Sequence, residues 1–312
     1  MLHWINRAPL EGKIHPSWII LGVTAVAAVA ATVIAVPALY EGAKEPKKNS
    51  VVAVRQVPAA SLPEPDSGQH DRQSPPGIQP AHFTPPAEND MPAGEFGDMV
   101  KLGRNIFVHT QTYAKNYVGN GLNCVNCHLD AGRKAGAAPL WAAYVMFPAY
   151  RDKNKKVNSF EDRLAGCFRF SMNGTAPEYN SQEMIALTSY SYWLAKGAPT
   201  GAELPGRGYP KLENPALSPD AKRGATVYQA NCALCHSVDG LGTKINGRYA
   251  FPPLWGSDSY NAGAGMHTVK NAAAFIKANM PLGKGNSLSL QDAWDVAQFV
   301  NSHDRPSDPR VK

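Results

Sequence analysis

The sequence predicts a mainly α fold of two small domains in tandem, behind an apolar N-terminal helix and an unfolded linker, and three observations carry this. The pentapeptide Cys-x-x-Cys-His occurs twice, as Cys124–His128 and Cys232–His236. The same order of segments surrounds each copy: a helix-like run before it, an irregular loop after it, and a second helix-like run at the close. Ahead of both lie an uncharged apolar stretch and then a stretch crowded with proline.

Taken in order, residues 1–16 are short and polar and form a cytoplasmic N-terminus. Residues 17–40, SWIILGVTAVAAVAATVIAVPALY, run without a charge. A bilayer-spanning helix needs about 20 apolar residues, whereas the apolar core of a signal peptide has roughly 7–15. Trp18 and Tyr40 stand near its two ends, where aromatics meet the membrane interface. A transmembrane anchor is therefore expected, with a signal (cleaved near Val36-Pro37-Ala38, or left uncleaved) as the alternative. Residues 41–94 contain ten prolines and few aromatics. Such a segment buries too little apolar surface to fold and reads as a tether, partly in polyproline conformation.

Residues 95–200 form the first domain. It opens on Phe96–Phe107, whose apolar positions approximate a helical face, and closes on Ser181–Lys196. Residues 201–312 form the second domain, opening on Ala221–Ala230 and closing on Ser289–His303. Ser181 and Ser289 stand where N-caps belong, with Glu183 and Asp292 in the first turns. Between the domains, GAPTGAELPGRGYPKLENPALS breaks regular structure with four prolines.

Cys-x-x-Cys-His is the attachment pattern of c-type haem: the two thiols form thioethers with the porphyrin, and the adjacent histidine reaches the iron. Zinc would demand further Cys or His at ligand spacing. Two covalent haems c follow, held through Cys124, Cys127, Cys232 and Cys235, with His128 and His236 as proximal ligands. Because such haem is attached outside the bacterial cytoplasm, the bulk of the chain belongs in the periplasm, held at the inner membrane if the anchor is retained. A net charge of +6 without a basic stripe speaks against nucleic acid.

The distal ligands differ between the domains. Met280, 44 residues after His236 and just before the closing helix, is the best candidate on the second haem, with Met266 as competitor. Methionine–histidine ligation raises the potential, which suits electron transfer. In the first domain a fifth cysteine, Cys167, stands 39 residues after His128, roughly where Met280 stands in the second. Thiolate ligation pushes charge onto the iron. The alternative is an inert buried thiol, with Met172 as the ligand. Six cationic residues, Arg151, Lys153, Lys155, Lys156, Arg163 and Arg169, surround this stretch. Positive charge near a thiol favours the thiolate, and arginine offers a fork of donors to sulfonate or phosphate oxygens. The lysines read as solvated loop charges. Arg163, four residues before Cys167, stands one helical turn away and reads as functional.

GLNCVNCHLDAG, CFRFSMNG, PPLWGSDSYNAGAGM and AAAFIKANMP together resemble the dihaem thiosulfate dehydrogenase/tetrathionate reductase family, over roughly residues 96–304. The resemblance implies an active-site haem ligated by His128 and Cys167 and an electron-exit haem ligated by His236 and Met280. It implies oxidative coupling of two thiosulfates to tetrathionate, or the reverse, with a c-type cytochrome or similar acceptor. Arg163 and Ser171 would hold the substrate's sulfonate oxygens, with Arg151 as a third member. Some members carry lysine directly before the exit-haem methionine; here the residue is Asn279. Two other readings stand beside this one. One is a membrane-tethered dihaem electron carrier with methionine on both irons; the other is the haem subunit of a multienzyme sulfur-oxidising complex.

Overall fold

The computed structural model describes residues 83–311. The expected N-terminus, anchor and tether as far as residue 82 lie outside the described residues. No helix among the described residues is long and apolar enough to cross a membrane.

In the first domain, helix α1 (Gly94–Val108) crosses the closing helix α3 (Gln182–Leu194). Glycine allows this crossing: a Cβ on Gly103 would stand 2.0 Å from the carbonyl oxygen of Ala186. The second domain repeats the device. Helix α4 (Ala221–Asn231) crosses α6 (Leu290–Asn301), and a Cβ on Gly224 would stand 2.0 Å from the oxygen of Asp295. The two serine caps form as expected, with Ser181 Oγ accepting from Met184 N at 3.2 Å and Ser289 Oγ from Asp292 N at 3.0 Å. The buried side of α1 is Gly97, Val100, Gly103, Ile106 and Phe107. Phe96, counted with that face in the sequence, is instead exposed and meets Tyr192 edge-on.

The loops after each motif are less irregular than their composition suggests. Each contains a short antiparallel hairpin: β1 (Ala149–Arg151) with β2 (Lys156–Asn158), and β3 (Thr243–Ile245) with β4 (Arg248–Phe251). In the first domain the hairpin leads into helix α2 (Phe160–Gly166). Ser159 caps it reciprocally: its Oγ accepts from Asp162 N, and its N–H donates to Asp162 Oδ2 at 2.9 Å. In the second domain, helix α5 (Val269–Asn279) ends at Met280.

Residues 83–93, which composition assigns to the tether, lie on the first domain. The Phe83 ring packs against Trp141 at 5.3 Å, Glu88 pairs with Arg104 at 2.7 Å, and Arg133 donates to the carbonyls of Pro85 and Pro86. Prolines here leave free carbonyls that an arginine can gather.

The two domains share a seam. Tyr260 and Ala264 of the second join the buried core of the first. The connecting segment runs along residues 136–138, where Gly136 N donates to Gly206 O at 2.7 Å and Ala138 N to Gly208 O at 2.8 Å.

Candidate functional site

Each Cys-x-x-Cys-His segment makes a tight turn that turns its histidine inward. His128 Nδ1 donates to Ala138 O at 2.6 Å, and His236 Nδ1 donates to Pro252 O at 2.9 Å. Engaging Nδ1 fixes the tautomer and leaves Nε2 as the free lone pair, the arrangement of a metal-ligating imidazole. Burial lowers the pKa of both rings, that of His128 to about 4, so both stay neutral at physiological pH. The carbonyl that orients His128 belongs to Ala138, whose own N–H is held by the connecting segment.

None of the five cysteines forms a disulfide. Among the described residues no group of three or more His, Cys, Asp or Glu could hold a metal ion by itself. Paired free thiols beside an oriented imidazole fit a covalent porphyrin far better than a protein-only metal centre. Burial pushes the Cys124 and Cys127 thiols up to about 12, and Cys167 is an electrostatic neighbour of both. The fifth cysteine thus lies near the first motif.

In the second domain a largely apolar cavity is lined by Cys232, Cys235, His236, Leu254, Phe275 and Met280. Its polar groups are few, and a thioether shares its lining with the imidazole, which fits a haem with methionine as sixth ligand. Met266 lines the same cavity but also packs against two clusters of buried side chains. Leu122, Val125, Cys127 and Leu129 of the first domain complete the wall, so the two motifs adjoin one cavity.

The first domain's distal side is built differently. Helix α2 runs into a π-helical turn, Cys167–Ser171. Wider turns of this kind are rare and recur at functional sites. Arg163 lies on the same face one turn earlier, and its Nη1 donates to Cys167 Sγ at 2.9 Å. Arg151, at the end of β1, is half-buried; burial lowers its pKa, Arg163 adds to this, and Cys167 opposes it. Cys167, Arg163 and Arg151 are therefore brought together. Ser171 closes the same turn, half-buried. Met172, the alternative ligand, is 3% exposed and packed in the first core.

Of the lysines, Lys155 pairs with Asp152 in solvent and Lys156 is exposed, as expected. Lys153 departs from that expectation. Its Nζ donates to Gly263 O at 2.9 Å and stands 5.0 Å from the centre of the Phe170 ring. Burial lowers its pKa, with Arg310, Arg151 and Arg163 adding to the effect. Arg310, near the chain's end, covers the same ring at 4.7 Å. The phenol of Tyr209, from the connecting segment, is held protonated by burial, with Cys127, Arg163 and Cys167 around it. Sequence reading missed Lys153, Tyr209 and Arg310 as neighbours of the site. Only Lys153 carried a signal, its place in the cationic run.

Known proteins resemble the chain over both domains. A family model for the SoxA/TsdA cytochrome c domain matches residues 110–200, and one for subunit III of cbb3-type cytochrome c oxidase matches residues 219–300. A thiosulfate dehydrogenase of Stutzerimonas stutzeri is 56% identical over 253 residues, covering 81% of this chain and 82% of that one. A thiosulfate dehydrogenase of Thiomonas intermedia is 60% identical over 230 residues, covering 74% and 73%. A solved thiosulfate dehydrogenase (TsdBA) of Marichromatium purpuratum superimposes with a TM-score of 0.72 at 50% identity over 74% of this chain. The chain spans about half the length of that solved relative, 51%.

Proposed function

The chain belongs to the thiosulfate dehydrogenase family, with two cytochrome c domains that bind haem c covalently, and from that premise we propose that it couples two thiosulfates to tetrathionate at a His128/Cys167 iron. The observation that carries this reading is the 2.9 Å contact from Arg163 Nη1 to Cys167 Sγ on a π-helical turn. A structural thiol has no need of a guanidinium, whereas a thiolate that handles dianions does.

Cys124 and Cys127 would carry the first haem and Cys232 and Cys235 the second, each haem supplying an iron that takes one electron at a time. His236 and Met280 would hold the second iron, Met280 being preferred because Met266 is engaged in packing. The reaction balances as two thiosulfate dianions giving one tetrathionate dianion and two electrons. A first thiosulfate joins its terminal sulfur to Cys167 Sγ, releasing both electrons. The terminal sulfur of a second thiosulfate then displaces the Cys167 thiolate and forms the central S–S bond of tetrathionate. Capture on a thiol divides one hard coupling into two easier steps.

Two dianions brought together repel, and fixed positive charge in a site shielded from water offsets that repulsion. Arg163 and Arg151 supply it, with Ser171 donating to a sulfonate oxygen. Electrons leave through the second domain to a c-type cytochrome or a similar acceptor. The protein works in the periplasm, where thioether haem is made; the uncharged run of residues 17–40 has the length to tether it to the inner membrane unless it is cleaved as a signal.

The direct test is thiosulfate-dependent reduction of an added c-type cytochrome by the purified dihaem protein, with product analysis. One tetrathionate should appear for every two acceptors reduced. Sulfate or sulfite as product would overturn the assignment, as would an absence of thiosulfate-dependent reduction.

A further inference from the structure

The turn that carries Cys167 is held from the other domain. A helix end leaves carbonyls without intrahelical partners, and buried ones need other donors. Here six consecutive carbonyls can be followed. Cys167 O accepts from Met172 N at 2.9 Å, Phe168 O from Gly174 N at 2.9 Å, and Met172 O from Gly119 N at 3.0 Å. The three between go to two asparagines. Arg169 O accepts from Asn261 Nδ2 at 2.9 Å, Phe170 O from Asn261 N at 3.2 Å, and Ser171 O from Asn120 Nδ2 at 2.8 Å.

Asn261 belongs to the second domain and is 0% exposed. Its Nδ2 also donates to Asn173 Oδ1 at 3.1 Å, and its Oδ1 accepts from Gly263 N at 3.0 Å. Both hydrogens of the amide are thus spent on the Cys167 turn and its continuation, and the oxygen anchors the amide to its own loop. Asn120, 4% exposed, is tied across the same seam, because its Nδ2 reaches Ser259 O at 3.1 Å. A buried amide so fully engaged fixes backbone position.

We propose that Asn261 is a positioning residue of the first site: it fixes the backbone of the Cys167–Ser171 turn, so that the second domain sets how closely Cys167 Sγ approaches the iron carried beside His128. This rests on the His128/Cys167 ligation proposed above. With the backbone fixed, Cys167 moves only by rotating its side chain between the iron and Arg163, and Ser171 keeps its place beside it. The domain that removes electrons thereby also holds the ligand where electrons are produced.

The test uses the full dihaem protein and two variants. Asn261→Asp keeps the size and the acceptor for Gly263 N but turns an oxygen toward Arg169 O and Asn173 Oδ1. Asn261→Ser is smaller, keeps the backbone donor to Phe170 O, and reads the same loss should the aspartate variant not assemble. Two readouts are taken on oxidised protein: the histidine–thiolate signal in low-temperature EPR, and the rate at which iodoacetamide alkylates Cys167, followed by peptide mass spectrometry. Support of an iron ligand from the next layer is typically worth about 10–100-fold. Alkylation should therefore quicken about tenfold or more, and the thiolate signal should weaken, while the histidine–methionine spectrum of the second haem stays as in wild type. If both readouts match wild type and only thermal stability falls, Asn261 merely joins the domains and the inference is overturned. A wild-type protein lacking any thiolate signal would overturn the ligation beneath it instead.

Discussion

In both domains a backbone carbonyl turns the proximal imidazole, Ala138 for His128 and Pro252 for His236, and the opening helix meets the closing helix across a glycine. The distal sides part company. In the second domain a thioether, Met280, lines a largely apolar cavity. In the first, a thiol on a π-helical turn meets a guanidinium, with Arg151 and Lys153 close by. On the first domain the stretch that carries this difference is the hairpin β1–β2, helix α2 and the π-helical turn that ends at Ser171. An apolar wall with a thioether suits an iron that only passes electrons. A cationic wall with a thiolate suits one that meets anions.

The sharpest way to break this comparison is to remove the sulfur. Cys167→Ala should lower thiosulfate-dependent turnover by on the order of 10³-fold or more, the scale on which losing a covalent nucleophile acts. The second haem should still be reducible by dithionite, which visible spectroscopy checks. Next is the charge beside it. Arg163→Gln leaves the thiol but removes its guanidinium partner, and kcat should fall roughly 10²–10³-fold, as for loss of a preorganised donor. Steady-state kinetics over a thiosulfate series would separate that from a rise in KM.

The shared scaffold predicts matching damage instead. Gly103→Ala and Gly224→Ala each put a Cβ 2.0 Å from a carbonyl oxygen of the facing helix. Overpacking of this kind costs roughly 1–3 kcal/mol, so both variants should lower the midpoint of urea unfolding, each loosening its own domain first. Spectral shifts of the two haems report which domain opens.

The smallest effect belongs to the tail. Asp308, paired with Arg310, has its pKa lowered to about 2, first by that hydrogen bond. A carboxyl with an ordinary value of about 3.9 that is depressed on folding stabilises the fold above that pH, and the contribution fades as pH falls from about 4 toward 2. Partly exposed pairs are worth about 0.2–1 kcal/mol. The Tm difference between wild type and Asp308→Asn should be a degree or two at pH 7, shrink below about pH 4 and vanish only below about pH 2.

Much of this was legible in the sequence, for physical reasons. The two haem motifs, the opening and closing helix of each domain and the serine caps are local signals, and each was found within two or three residues of its end; α5, as long as α4, was not. Cys167 and Arg163 were legible because a spare thiol and a cation one helical turn away form a pattern that needs no tertiary contact. Asn261, Asn120 and Arg310 were not. An asparagine in a loop looks the same whether its amide meets water or the carbonyls of another domain. The π-helical turn was equally hidden, since its wider register depends on donors supplied from outside the helix. Residues 83–93 misled because their composition is that of a tether, while Phe83, Glu88 and two proline carbonyls find partners on the first domain.

The central claim is that one iron meets sulfur from cysteine and the other sulfur from methionine. Near-infrared magnetic circular dichroism of the oxidised wild-type protein separates the two, because each ligand pair gives its own charge-transfer band. The account predicts two bands of comparable intensity, one for histidine–thiolate and one for histidine–methionine. A single histidine–methionine band integrating to both haems would contradict it.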